Sequence, residues 1–153
     1  MNIHSARFWF AVEWTASFLV ATVFLLASIP KIGDPGAFSS AVHQMDLLPA
    51  VLVNPVAIYL PWIECLSACV LILLPPARRG ALALLGFLLA LFTVALLVNF
   101  ARGTVMTCGC FGGSFLESIL PPWTAPLRNV LLLAIVCIAL EAGRQRGIRR
   151  FRT

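Results

Sequence analysis

Two cysteines one residue apart are the residues of this sequence best suited to chemistry. Cys108 and Cys110 stand in the segment RGTVMTCGCFGGSF, with Gly109 between them. A pair at this spacing can close a small, strained disulfide ring, and strained disulfides are the labile, redox-active ones. Gly109 removes the side-chain clash that such a tight turn would create. The spacing therefore favours thiol–disulfide exchange.

The residues around the pair suit the same chemistry. After Phe111, Gly112 and Gly113 leave the backbone free to turn or to admit a partner. Arg102 and Arg128 flank the segment in sequence, and a nearby cation stabilises the thiolate, which is the reactive form of cysteine. We therefore expect both arginines to support the two thiols.

Two other interpretations of the pair stay open. The cysteines could form a structural staple, although a bridge between residues 108 and 110 would constrain almost none of the unfolded chain. They could also bind Cu(I) together with Met106, because thiolates and thioethers are soft ligands. Redox exchange is favoured over both, and no other metal site is predicted.

The remaining three cysteines lie within apolar stretches. Cys65 and Cys69 are one helical turn apart, and Cys137 lies in the last such stretch. Buried cysteines often pack as small hydrophobic side chains, and this is the interpretation that we favour for all three. A second redox pair or an internal ligand is the alternative for Cys65 and Cys69.

Three charged residues inside apolar segments call for partners. An acid within a membrane span is costly and suggests function, so Glu64 is a candidate for binding a polar group, holding helices together or moving protons. Glu13 lies nearer the end of its segment and is expected to be structural. Arg128 lies in a first helical turn, where a cation is disfavoured. Its expected partner is Glu117, Glu64 or an acidic ligand.

The elements that position these residues are predicted to be membrane helices. Of the 153 residues, 61% are hydrophobic and only 11% are charged, against about 25% charged in an average soluble domain. Such a chain cannot cover a water-exposed surface, so its solvent is a bilayer. The net charge of +5 lies in short segments beside the apolar stretches, and we therefore expect no binding to nucleic acid.

Four segments reach the roughly 20 mostly apolar residues that a membrane span needs. Small residues along them favour close helix packing. The first apolar run is longer than that of a signal peptide, so we expect it to be retained. The predicted fold is an all-α bundle of four transmembrane helices in a single membrane domain, residues 1–153. The predicted helices cover about residues 8–29, 55–74, 80–101 and 125–141.

The distribution of Lys and Arg predicts the orientation of the bundle. Eight of these residues fall before the first segment, between the second and third, and in the basic tail 143–153, whereas three fall on the other side. Because positive loops stay in the cytoplasm, both termini are predicted to be cytoplasmic. Loops 31–54 and 102–124 are then external, where disulfides can form and persist.

The first external loop is predicted to contain a short amphipathic helix. Asp34 followed by Pro35 is a helix-start signal, and apolar residues follow at helical spacing up to Met45. This helix is expected to lie along the outer membrane surface. His43 within it is expected to be a surface residue.

Several short motifs occur in order along residues 25–130. They read KIGDPGAF, LLP, LPWIE, NFARG, CGCFGG and LRN. Together they resemble the MauE family of methylamine-utilisation membrane proteins, which belongs to the broader DoxX-like group. CGCFG following Arg-Gly is the most specific part of the resemblance.

The resemblance implies an inner-membrane protein that acts with a periplasmic thioredoxin-like partner. The proposed task of the family is to form, shuffle or reduce disulfides while methylamine dehydrogenase matures. Relatives with this motif also occur away from methylamine genes, so that substrate is not implied for this chain. On the matching positions, Cys108 and Cys110 take the redox role. The other family-like polar positions are Lys31, Glu64, Arg102, Arg128 and Asn129.

The first functional hypothesis is therefore a membrane thiol–disulfide oxidoreductase. Its electrons need a second carrier, and a quinone near the outer helix ends, beside Trp62, Trp123 or Phe111, is the candidate. The alternatives are a non-catalytic membrane subunit that anchors a larger complex through residues 102–124, and a copper-handling site.

Overall fold

The computed structural model describes residues 3–102 and 124–150, and this part of the chain contains helices and no strand. The predicted all-α fold is confirmed. A short 3-10 turn, Pro75–Ala77, joins the third helix to the fourth. The helices are α1 Ile3–Gly33, α2 Pro35–Gln44, α3 Ala50–Leu73, α4 Arg78–Ala101 and α5 Thr124–Arg150.

Four of these helices are long and apolar enough to cross a membrane, which confirms the predicted number of spans. They alternate in direction, so that α1 and α4 end where α3 and α5 begin. We call this the loop end of the bundle and the opposite end the tail end. The membrane-length segments are Arg7–Gly33, Ala50–Leu73, Pro75–Ala101 and Thr124–Gln145.

The core is built largely from small and branched side chains. Ala21, Ala68 and Ala139 are fully buried and let the helix backbones approach closely. Large apolar side chains such as Phe87 and Leu91 point outward, which is the arrangement expected where the surrounding solvent is lipid. The core cluster consists of Val20, Ala21, Phe24, Ala68, Leu71, Ala81, Leu82, Leu85, Leu89, Leu132, Val136 and Ala139.

At Gly86, α4 packs tightly against α5. A methyl group at this position would lie 2.9 Å from Cγ1 of Val136, which is too short for two carbon atoms. We therefore expect Gly86→Ala to lower the free energy of unfolding by roughly 1–3 kcal/mol through overpacking. Denaturation in mixed detergent micelles would measure the change.

Gly80 provides the matched control for that experiment. It lies in the same helix, and a methyl group there would meet nothing within 4 Å, so Gly80→Ala should be neutral or slightly stabilising because alanine favours helix. Adding Val136→Ala to Gly86→Ala should recover part of the loss. Equal effects of the two glycine substitutions would contradict the packing interpretation.

The short helix α2 forms as its sequence predicts. Asp34 precedes it, and the Asp34 Oδ1 accepts a hydrogen bond from the backbone N–H of Ala37 at 2.9 Å, while Pro35 occupies the first helical position. Phe38 and Val42 are buried in a cluster with residues of the first turns of α3. This packing places α2 over the loop end of the bundle.

Candidate functional site

The predicted thiol site lies outside the residues that the structure describes. The described residues on either side are Arg102, which follows the last turn of α4, and Thr124, which begins α5. Both belong to the loop end, so the described residues that flank the segment with the cysteines lie at that end of the bundle. Five predicted site residues lie outside the residues that the structure describes: Cys108, Gly109, Cys110, Phe111 and Gly112.

A buried ion pair joins α1 to α3. Lys31 Nζ donates a hydrogen bond to Oε2 of Glu64 at 3.0 Å, and the two side chains are 3% and 1% exposed. A charge inside a bundle is tolerated when it is paired, so each residue accounts for the other. Sequence reasoning singled out Glu64 but did not pair it with Lys31. The available signal was an acid within one apolar segment and a lysine ending another.

Two aromatic rings enclose the Lys31 ammonium group. The ring centres of Phe38 in α2 and Phe92 in α4 each lie 5.1 Å from Nζ. Cation–π attraction is strongest where the cation is desolvated, as it is here. Through Glu64 and these two rings, one lysine side chain connects α1, α2, α3 and α4.

A cavity faces this pair, with walls from the four membrane-length helices. Its unfilled space, which includes its open side, is about 380 Å³. Arg128 reaches the cavity from the first turns of α5, so it shares this space with Glu64, one of the partners that the sequence suggested. Its lysine and arginine outnumber its one acid, which makes the formal charge positive. The polar lining residues are Lys31, Glu64, Arg128 and Asn129.

A second polar cluster lies at the tail end. Arg78 is 2% exposed, and its Nε donates to the carbonyl oxygen of Leu71 at 3.3 Å. The guanidinium carbon stands 4.0 Å from the ring centre of Trp14, and Nη1 lies 3.8 Å from Oε1 of Glu13. The contact fits the structural role expected of Glu13. Arg78 therefore links α4 to α1 and α3.

The chain is similar to known proteins of one family. A family model described as Methylamine utilisation protein MauE matches residues 9–141. The chain belongs to the MauE family. The Methylamine utilization protein MauE of Paracoccus denitrificans is 32% identical over 133 residues, which cover 86% of this chain and 69% of that protein.

Two further MauE relatives are similar over shorter stretches. The protein from Methylophilus methylotrophus is 41% identical over 100 residues, covering 65% of this chain and 52% of the relative. The protein from Methylorubrum extorquens is 39% identical over 110 residues, covering 70% and 58%. The chain thus spans about half the length of these relatives. No solved structure matches it.

The MauE match covers both features that could carry function. Residues 9–141 include the Lys31–Glu64 pair, the Arg128 side of the cavity and the segment with Cys108 and Cys110. The basic tail 143–153 lies beyond it. The family membership and the four membrane-length helices together make this a multi-pass membrane protein.

The other candidates from the sequence lie away from the cavity. Cys65 and Cys69 are partly exposed on α3, Cys137 is exposed on α5, and His43 is exposed on α2. Trp62 is 51% exposed and is not among the cavity residues. Within residues 3–102 and 124–150, no three side chains of His, Cys, Asp or Glu form a potential metal site.

Proposed function

We propose that this MauE protein exchanges electrons with an external thioredoxin-like protein through Cys108 and Cys110. The observation that carries the proposal is the Cys-Gly-Cys sequence in a glycine-rich segment between two membrane helices. A disulfide between residues 108 and 110 closes too small a ring to stabilise the fold by constraining the unfolded chain. A strained ring of this kind is readily reduced and reformed.

The charge distribution supports the orientation that this function needs. Of the eleven Lys and Arg residues, eight fall at sequence positions 7, 78, 79, 144, 146, 149, 150 and 152, and three fall at positions 31, 102 and 128. We propose that the tail end and both termini are cytoplasmic and that the protein resides in the inner membrane. The cysteines then face the oxidising side, where a disulfide persists.

The exchange itself has two balanced steps. A thiolate of one cysteine attacks the partner's disulfide, so that one partner sulfur leaves as a thiolate and a mixed disulfide forms between the proteins. The second cysteine then attacks the mixed disulfide, which closes the bond between Cys108 and Cys110 and releases the partner as a dithiol. Two electrons pass to the partner, and the reverse sequence returns them.

The names of the three relatives refer to methylamine utilisation. We propose that this chain serves the same process, by handling the disulfides of a disulfide-rich dehydrogenase while it matures. This proposal rests on the shared family. The aligned stretches cover only about half to two thirds of the three relatives, so their names alone do not carry it.

Single cysteine variants test the exchange. With Cys108→Ser or Cys110→Ser, the resolving thiol is missing, so we expect one variant to accumulate a mixed disulfide with an external protein. Acid quenching, alkylation and non-reducing electrophoresis would detect this product, which a reductant should remove.

The double variant Cys108→Ser/Cys110→Ser is the control, because it retains Cys65, Cys69 and Cys137. It should give no mixed disulfide. If neither single variant traps a partner, or if the double variant traps as much as they do, the pair is not the exchange site.

A further inference from the structure

The cavity beside Lys31 and Glu64 is built like a binding site for a lipid-soluble ligand. We propose that it holds the head group of a membrane quinone, which deepens the function proposed above by naming the second electron carrier. The sequence suggested such a carrier beside Trp62, which points outward. The cavity lies instead inside the bundle, between the four membrane-length helices.

The size and walls of the cavity suit a flat ring. Ligand pockets are mostly apolar, with a few converging polar groups, and most of the residues lining this one are apolar. Its unfilled space of about 380 Å³ includes an open side, through which the oxygen-bearing edge of a ring can enter. Phe24 and Phe92 are on its walls and can contact a ring by stacking or edge packing.

The polar groups match both oxidation states of a quinone. A quinone presents carbonyl oxygens that accept hydrogen bonds, and the ammonium of Lys31, the guanidinium of Arg128 and the amide of Asn129 are donors. A quinol presents hydroxyl groups that donate, and the carboxylate of Glu64 is an acceptor. The positive formal charge of the lining favours electron-rich oxygen and the anionic intermediates of reduction.

A cavity residue lies close in sequence to the thiol segment, which is the proposed source of the electrons. Arg128 lies four residues after Thr124, the first described residue beyond that segment. In the reverse direction of the exchange, the partner's dithiol reduces the disulfide between Cys108 and Cys110. When the resulting dithiol returns to the disulfide, two electrons and two protons are released. One quinone takes up both electrons and both protons to become one quinol, so the reaction balances.

Binding can be tested without any thiol chemistry. We would titrate decylubiquinone and menadione into the purified Cys108→Ser/Cys110→Ser protein by calorimetry, using detergent alone as the blank. We expect saturable binding of at least one of the two at one site per chain. Ala27→Leu should abolish it, because Ala27 is a buried wall residue and the larger side chain fills the cavity while every charged residue is retained.

Quinone binding by two further variants is compared with that of Ala27→Leu. Ala11→Leu makes the same change at an exposed position of α1 and should leave binding unaltered. Lys31→Met should weaken binding at least about tenfold, the value of one charge-assisted hydrogen bond. If the Lys31→Met protein does not fold, Ala27→Leu still tests whether the quinone binds in the cavity.

The outcomes separate this inference from the exchange function. Absence of saturable binding by both quinones would overturn the cavity assignment while leaving a trapped mixed disulfide unaffected. Equal binding by the Ala27→Leu and Ala11→Leu proteins would overturn it as well. Loss of quinone binding in Trp62→Leu, with normal binding in Ala27→Leu, would show that the quinone binds at the exposed surface beside Trp62 and not in the cavity.

Discussion

Lys31→Met is expected to lower the free energy of unfolding by roughly 3–5 kcal/mol, because it leaves the Glu64 carboxylate buried without its partner. The size of the effect follows from the 3.0 Å contact between two side chains that are almost fully inaccessible. Loss of the ammonium also removes its cation–π contacts with Phe38 and Phe92. Reversible unfolding in mixed micelles, followed by circular dichroism, would measure the change.

A second substitution separates the cost of an unpaired charge from the worth of the pair. Adding Glu64→Met to Lys31→Met removes both charges and should recover much of the loss, because buried ion pairs contribute little net stability over apolar groups. Arg144→Met is the control, since Arg144 and Glu141 form a pair at 3.5 Å with side chains 72% and 59% exposed. It should have no measurable effect. If the double variant were less stable than Lys31→Met alone, the pairing would not be the reason.

Arg78→Met is expected to lower the free energy of unfolding by roughly 2–4 kcal/mol, from the lost charged hydrogen bond and cation–π contact. Arg78 reaches the Leu71 carbonyl, the Trp14 ring and Glu13 at once. Methionine keeps much of the apolar length of the side chain but none of these polar contacts. Arg78→Lys should restore only part of the stability, because an ammonium lacks the flat surface that stacks on tryptophan.

Arg7→Met is the matched control for Arg78. Arg7 is exposed, and both substitutions remove one positive charge from the group that is proposed to set the orientation. A change in membrane orientation would therefore affect both variants, whereas loss of the buried contacts would affect Arg78→Met alone. Equal unfolding free energies for the two proteins would show that the cluster at the tail end is not stabilising.

Much of the fold was predictable because it depends on properties of short segments. An apolar run that matches the bilayer thickness predicts a span from composition alone, and the four spans are present. The start of α2 is equally local, since the Asp34 side chain caps the helix that Pro35 begins. The helix α5 begins at Thr124, one residue before the predicted start. The helix α3 begins at Ala50, about five residues before the predicted start at residue 55, and Pro55 lies inside it.

The partners of the buried charges were not predictable from sequence. Arg78 looked like one of several loop charges that set the orientation, yet it is among the largest fully buried side chains of the described residues. Binding a polar group such as Arg128 was one of three roles left open for Glu64, and its hydrogen-bond partner is Lys31, 33 residues away in sequence. Helical periodicity gives the face on which a residue lies but not the neighbouring helix that this face contacts.

The sequence by itself determined the solvent, the number of spans, the short helix and the cysteine pair, because each is written in composition or in neighbouring residues. Only the tertiary structure decided that Lys31 and Glu64 meet, that Phe38 and Phe92 enclose the lysine, and that Arg128 shares their cavity. The physical reason is that these contacts depend on the rotation, tilt and depth of whole helices. Those are set by the packing of all four membrane-length helices together, through residues such as Gly86 and Ala21.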